Sequence, residues 1–502
     1  MISKKFKGEG NLYKLISKKE EQNKFLGSIN IYAPEFLQQI WNSPKSLATL
    51  LLKADKSEVK NYLSHFIVHN LYDNISSLSH KDDQLIYIIT ILLKEEINIL
   101  TNTNSSSFTG KLCGILFEEF GKKKEVKSFF KTIIFEMIKK LETTYSSTSV
   151  AFEPDEINRK VKRNLEILEK MEKEENYEYN KNQIEKNFNK EISEEKSKYI
   201  NNKYIYSIVN KDELNKKILE YEDKDMKDFL QNKISECSSS PDRFSNRILL
   251  DKIKKEIREG YIINYYQHSL LQLIDIIDTL FDNLIKNSDL LPYSIKCICK
   301  IISILIKKKF PEIIKVEQNK VLSNFFFQIL FFPILIDPST SIFINEIIIS
   351  NSTMEKLQLI MTILSNIVMG KLFERNYYTP FNWYIIEKMP LLIKFFDNIC
   401  QISLPPFIEK LINDELPDNY EYNYFKENPE ENILYRNICY TPNELYSLIT
   451  NVEKFKDDFS IDKMILDKLI FNMWNVNFFK RCATSECICF NLFYRIWNDS
   501  CF

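Results

Sequence analysis

Apolar residues recur at intervals of three and four along most of this chain. Leu47, Leu50 and Leu51 begin the pattern, and Leu85, Ile88, Ile89, Leu92 and Leu93 repeat it. Val126, Phe129, Phe130, Ile133, Ile134, Met137, Ile138 and Leu141 then hold it almost without error. Such spacing predicts amphipathic helices, each turning one stripe to a core. Four of them, Gln84 to Leu100, Lys127 to Leu141, Pro292 to Lys307 and Val321 to Phe332, are expected to share one core.

The rhythm stops between Glu153 and about Arg247. Roughly half of residues 153–198 are charged, with both signs mixed, too few aliphatics to order a globule of their own. SSSPDRFSN (238–246) reads as a closing loop, and the helical pattern resumes at Leu270, Leu273, Ile274, Ile277, Leu280, Phe281 and Leu284. Because the flanks resemble each other, the charged stretch is read as a solvated helical insertion within one domain. The organisation expected is a lead-in over 1–42, a helical domain over 43–404 with an insertion at about 153–247, and a small helical extension over 405–502 that starts at Pro405 and Pro406. No internal repeat of 34 to 47 residues is visible, which counts against a solenoid scaffold.

Composition narrows this further. With only 8 Gly and 15 Pro in 502 residues, turn-formers are too few for a strand-rich fold, so the fold class expected is all-α. The net charge of -1, from 68 basic and 69 acidic residues, offers no field to draw the molecule onto nucleic acid. The charged N-terminus lacks the apolar run of a signal peptide. The most apolar stretch, Leu322 to Ile336, is shorter than the roughly 20 residues of a spanning helix, so a buried helix is expected there. Ten cysteines without a regular framework fit reduced thiols. The expectation is a cytoplasmic protein with no transmembrane segment.

Several sites have a structural explanation. His65 and His69, in HFIVH, share a helix face as a metal pair would, but Phe66 stands where the zincin general base is required. Cys297 with Cys299, and Cys487 with Cys489 and nearby Cys482, lack the Cys-x2-Cys spacing of a zinc site. Neither a phosphate loop nor a GxGxxG is present. No metal or cofactor is therefore expected, nor an active site of the chain's own.

One ordered set of segments says more. QLIYIITILLKEEI (84–97) leads into the polar loop TNTNSSSFTG (101–110). KLCGILFEEFGKKKEVKSFFKTIIFEMIKKLE (111–142) follows, and AFEPDE (151–156) makes a short acidic Asp-Pro turn. After the insertion come LPYSIKCICKIISILIKKKFPE (291–312), FFFQILFFPILIDPS (325–339) and MEKLQLIMTILSNIVMGKLF (354–373). In order and pattern these resemble the Ras GTPase-activating (Ras-GAP) domain, closest to the divergent branch of IQGAP-like and endosomal proteins. The resemblance covers about 42–404.

What that resemblance implies is a helical domain whose loop at 101–110 meets a small Ras-like GTPase. The family's arginine finger falls near Ser107 or Phe108, and no arginine is there. Ser107, Phe108, Thr109 and Lys111 are the GTPase-facing candidates, with Lys111 the only cation nearby. The family's Phe-Leu-Arg signature falls on Phe327, Gln328 and Ile329, so the arginine that braces the finger loop is replaced by Ile329. The signature proline is kept as Pro333, and Asp337-Pro338 stands for Asn-Pro. A finger supplied in trans is worth about 10³ to 10⁵ in rate, and lysine lacks the planar fork that spans two phosphoryl oxygens. The expected function is a GTPase regulator that binds the GTP form, reaches a membrane only transiently through its GTPase, and catalyses weakly or not at all. The alternative is a helical scaffold without GTPase binding.

Overall fold

A computed structural model describes residues 36–72, 82–101, 108–145, 150, 152, 159, 261–341, 349–374, 378–417, 420, 433–440, 442–458, 463–475 and 488–495. The charged insertion lies outside the described residues save for Arg159, and so does the lead-in save for 36–42. The chain divides into two compact units. The first is built from Met1–Lys123, Tyr293–Leu305 and Ile402–Phe502, the second from Lys124–Pro292 and Ile306–Gln401.

In the first unit, α1 (Pro44–Lys53) and the helical run α2 (Lys56–Glu58, Val59–Leu63 and Phe66–Leu71) precede α3 (Asp83–Asn98) and α4 (Leu112–Gly121). Most of α7 (Tyr293–Lys309) belongs here, followed by α11 (Pro406–Ile412), α12 (Pro442–Lys454) and α13 (Lys463–Asn475). The helix α3 is the hub. It packs against α1, α4 and α11, and Leu85, Ile86, Ile88, Ile89, Leu92 and Leu93 are all buried. Lys94 clips it to the end of α11, its ammonium 2.7 Å from the Leu411 carbonyl and 2.5 Å from Asp414. A cation there complements the negative end of the α11 dipole.

The second unit holds α5 (Lys124–Thr143), α6 (Tyr261–Lys286), α8 (Lys315–Ile336), α9 (Asn351–Met369) and α10 (Phe381–Ile399). Ser350 caps α9 by accepting the Thr353 amide, and Gly370, at φ 60°, ends it in the left-handed conformation a side chain resists. The four helices expected in one core therefore divide, α3 and most of α7 in the first unit and α5 and α8 in the second. Periodicity reports that a face is buried without naming what buries it.

Two more expectations change. The apolar stretch belongs to a helix of 22 residues, Lys315–Ile336, long enough to cross a membrane by length and composition, and 72% of its apolar window is buried. Its place in a protein core thus rests on burial, and the length argument fails. The extension over 405–502 is not wholly helical either. Its strands β1 (Ile433–Tyr440) and β2 (Ile488–Arg495) pair antiparallel, from Ile433 opposite Arg495 to Tyr440 opposite Ile488. ILYRNICY and ICFNLFYR are rich in β-branched and aromatic residues, which favour a pleated strand over a helix. Apart from this ribbon the regular structure among the described residues is helical.

Candidate functional site

The loop between α3 and α4 is shaped by the helices on either side. After Asn98, Ile99 stands 75% exposed. Residues 102–107, Ser107 among them, lie outside the described residues. At Phe108 the chain turns inward: its ring is 1% exposed and meets Phe117 edge-on, centroids 5.6 Å apart. Phe108 was expected to face a partner, and it is instead a core residue, because an aromatic ring gains more from burial than a surface loop returns. Thr109 and Gly110 are exposed. Gly110 sits at φ 71°, and the Lys111 amide donates to the Phe108 carbonyl at 3.0 Å to close the turn.

Two residues that the sequence reading passed over hold this arrangement. A Cβ on Gly114 would stand 1.9 Å from the Phe108 carbonyl oxygen, so the loop backbone rests directly on α4 where only glycine gives room. Glu96, buried near the end of α3, accepts the Cys113 amide at 2.9 Å across the base of the loop. Burial raises its carboxyl pKa, opposed by the Cys113 hydrogen bonds and by the charge of Lys111. Burial and this carboxylate together push the Cys113 thiol well above its usual range. A signal existed in the sequence: Glu96 falls four and three residues after Leu92 and Leu93, a carboxylate on the apolar stripe.

On the far end of α4, Glu119 is joined by His69 at 3.5 Å and by Lys122 at 2.5 Å. Although burial works against ionisation, His69 and Lys122 bring the Glu119 carboxyl down to about 2. His65 pairs with Glu444 of α12 at 2.8 Å, which raises its pKa despite partial burial. The two imidazoles of HFIVH thus serve separate carboxylates on α4 and α12. Among the described residues no group of three His, Cys, Asp or Glu side chains is arranged to hold a metal ion.

The second unit carries the signature positions on α8. Phe327 is 1% exposed, with its ring against Phe326, Phe331, Phe332 and Phe396. Gln328 reaches the Ser365 hydroxyl of α9 at 3.4 Å, Ile329 is buried, and Pro333 is exposed. Proline has no amide to give and crowds the carbonyl four residues back. The helix meets this with a widened, π-type stretch over Asn324–Phe331, where the Phe332 amide bonds to the Phe327 carbonyl.

The described residues thus form a largely helical fold in which a loop leads from one core helix into another in the first unit, and a proline-bearing, mostly buried helix lies in the second. A family model described as RasGAP, GTPase-activator protein for Ras-like GTPase, matches residues 88–369, and the chain belongs to that family. Among curated proteins it is 25% identical over 160 residues to the "Ras GTPase-activating-like protein IQGAP2" of Mus musculus and of Homo sapiens. That stretch is 31% of this chain and 10% of each of those proteins.

Proposed function

We propose that this protein binds the GTP form of a small Ras-like GTPase and regulates it with little or no acceleration of hydrolysis. The observation that carries this reading is the finger loop itself. TNTNSSSFTG holds no arginine, and of the finger positions Phe108 is committed to the core. Thr109 is uncharged, and the charge of Lys111 acts on Glu96. The buried α3 and α4 on either side of the loop support the reading that the segment still meets the ordered switch loops of a GTP-loaded partner. The name of the two relatives, activating-like, fits the same division. Such a protein works in the cytoplasm and meets membranes only while its GTPase is there. A pull-down against small GTPases loaded with a GTP analogue or with GDP tests the binding. Capture of the GTP form is expected, and equal capture of both forms would overturn the regulatory reading.

A further inference from the structure

We propose that Glu96 is the positioning residue of the segment 108–113 that leads into α4, tying α3 to the first turn of α4. This rests on the reading of that segment as GTPase-facing. The first turn of α4 needs an acceptor for its free amides. The residue at its N-cap is Lys111, whose ammonium can only donate, and no side chain caps the helix locally. The acceptor comes instead from 17 residues upstream, as the Glu96 carboxylate takes the Cys113 amide at 2.9 Å. A carboxylate here also suits the positive end of the α4 dipole.

One hydrogen bond joins α3 to α4, and two further contacts fix the loop's exit against α4, the Phe108 carbonyl on Gly114 and the Lys111 amide on Phe108. Glu96 supplies this restraint from within the first unit. Its role is positioning, because it is buried and acts on a partner only through the backbone it holds.

The test uses the full chain with Glu96→Ala and Glu96→Gln, reading amide hydrogen exchange at Cys113 and affinity for a GTP-analogue-loaded GTPase. Loss of a cap should speed Cys113 exchange by about tenfold or more in Glu96→Ala, with α13 peptides unchanged and affinity about tenfold weaker. Glutamine keeps a carbonyl acceptor, so Glu96→Gln should keep both values near wild type. Should Glu96→Ala fail to fold, Glu96→Asp, one methylene short of Cys113, takes its place with the same expectations. Unchanged exchange in Glu96→Ala, equal loss in Glu96→Gln, or faster exchange with undiminished affinity would each overturn the proposal. If the wild type itself binds no GTPase, the GTPase reading fails, while the exchange comparison still decides whether Glu96 holds the loop.

Discussion

Asp83 lies in the first turn of α3 with 4% of its surface exposed, and burial, then the neighbouring Asp82, push its carboxyl up to about 7. A carboxyl raised above its unfolded value of 3.8 favours the folded state most when protonated. That contribution is complete below about pH 4 and is lost as pH rises through about 7. Asp83→Asn should therefore raise the melting temperature at pH 8 and change it little below pH 4, and equal melting of the two proteins at pH 8 would contradict this. Phe108 makes the same point about charge. Placing arginine there to rebuild a finger would remove a buried ring and strand a guanidinium in its place, a loss on the order of 3 to 5 kcal/mol before the charge is counted. Phe108→Arg should melt far below wild type, whereas Thr109→Arg, at an exposed position, should leave the melt within a degree or two, about the effect of an ordinary surface change. Similar melts for the two variants would show the Phe108 ring to be free.

Helices were the most legible elements, and the reason is visible in α5 and α8. The eight apolar positions at helical spacing from Val126 to Leu141 are buried in α5, while Phe135, off that stripe, is exposed, as an amphipathic helix requires. In α8 the aromatic cluster around Phe327 predicts a loss of about 3 to 5 kcal/mol on Phe327→Ala, checked by chemical denaturation, where an unchanged midpoint would mean a loosely held ring. The ribbon β1 and β2 was missed because its strands are some fifty residues apart, and a non-local pairing leaves no periodic trace across the gap. The loop's inner contacts were missed for a related cause: the place of Glu96 on an apolar stripe marks it as unusual, but Gly114 and Glu96 act on backbone atoms of Phe108 and Cys113, and no residue pattern names those partners. Gly114→Ala should lift the loop off α4, seen as faster exchange at the Lys111 amide. Retained protection would show that the backbone yields elsewhere.

At the scale of the molecule, the family match ends at 369, yet the first unit also draws on the chain after Ile402. Phe407 lies 6.2 Å from the Tyr87 ring of α3, Asp414 pairs with Lys94, and Glu444 with His65. A chain ending at Gln401 would strip these contacts from α2 and the hub helix α3, so it should lose cooperative melting in the unit that carries the loop; an unaltered transition would make the C-terminal stretch dispensable. Sequence order disclosed the family, and the missing arginine disclosed what the loop lacks, but which side chains the loop hides could be read only from the folded chain. Whether the proposed GTPase binding persists without a catalytic charge is tested most directly by single-turnover hydrolysis in a captured GTPase at saturating protein. A rise of less than about tenfold is expected, and acceleration near the 10³ to 10⁵ of a complete finger would contradict the proposal.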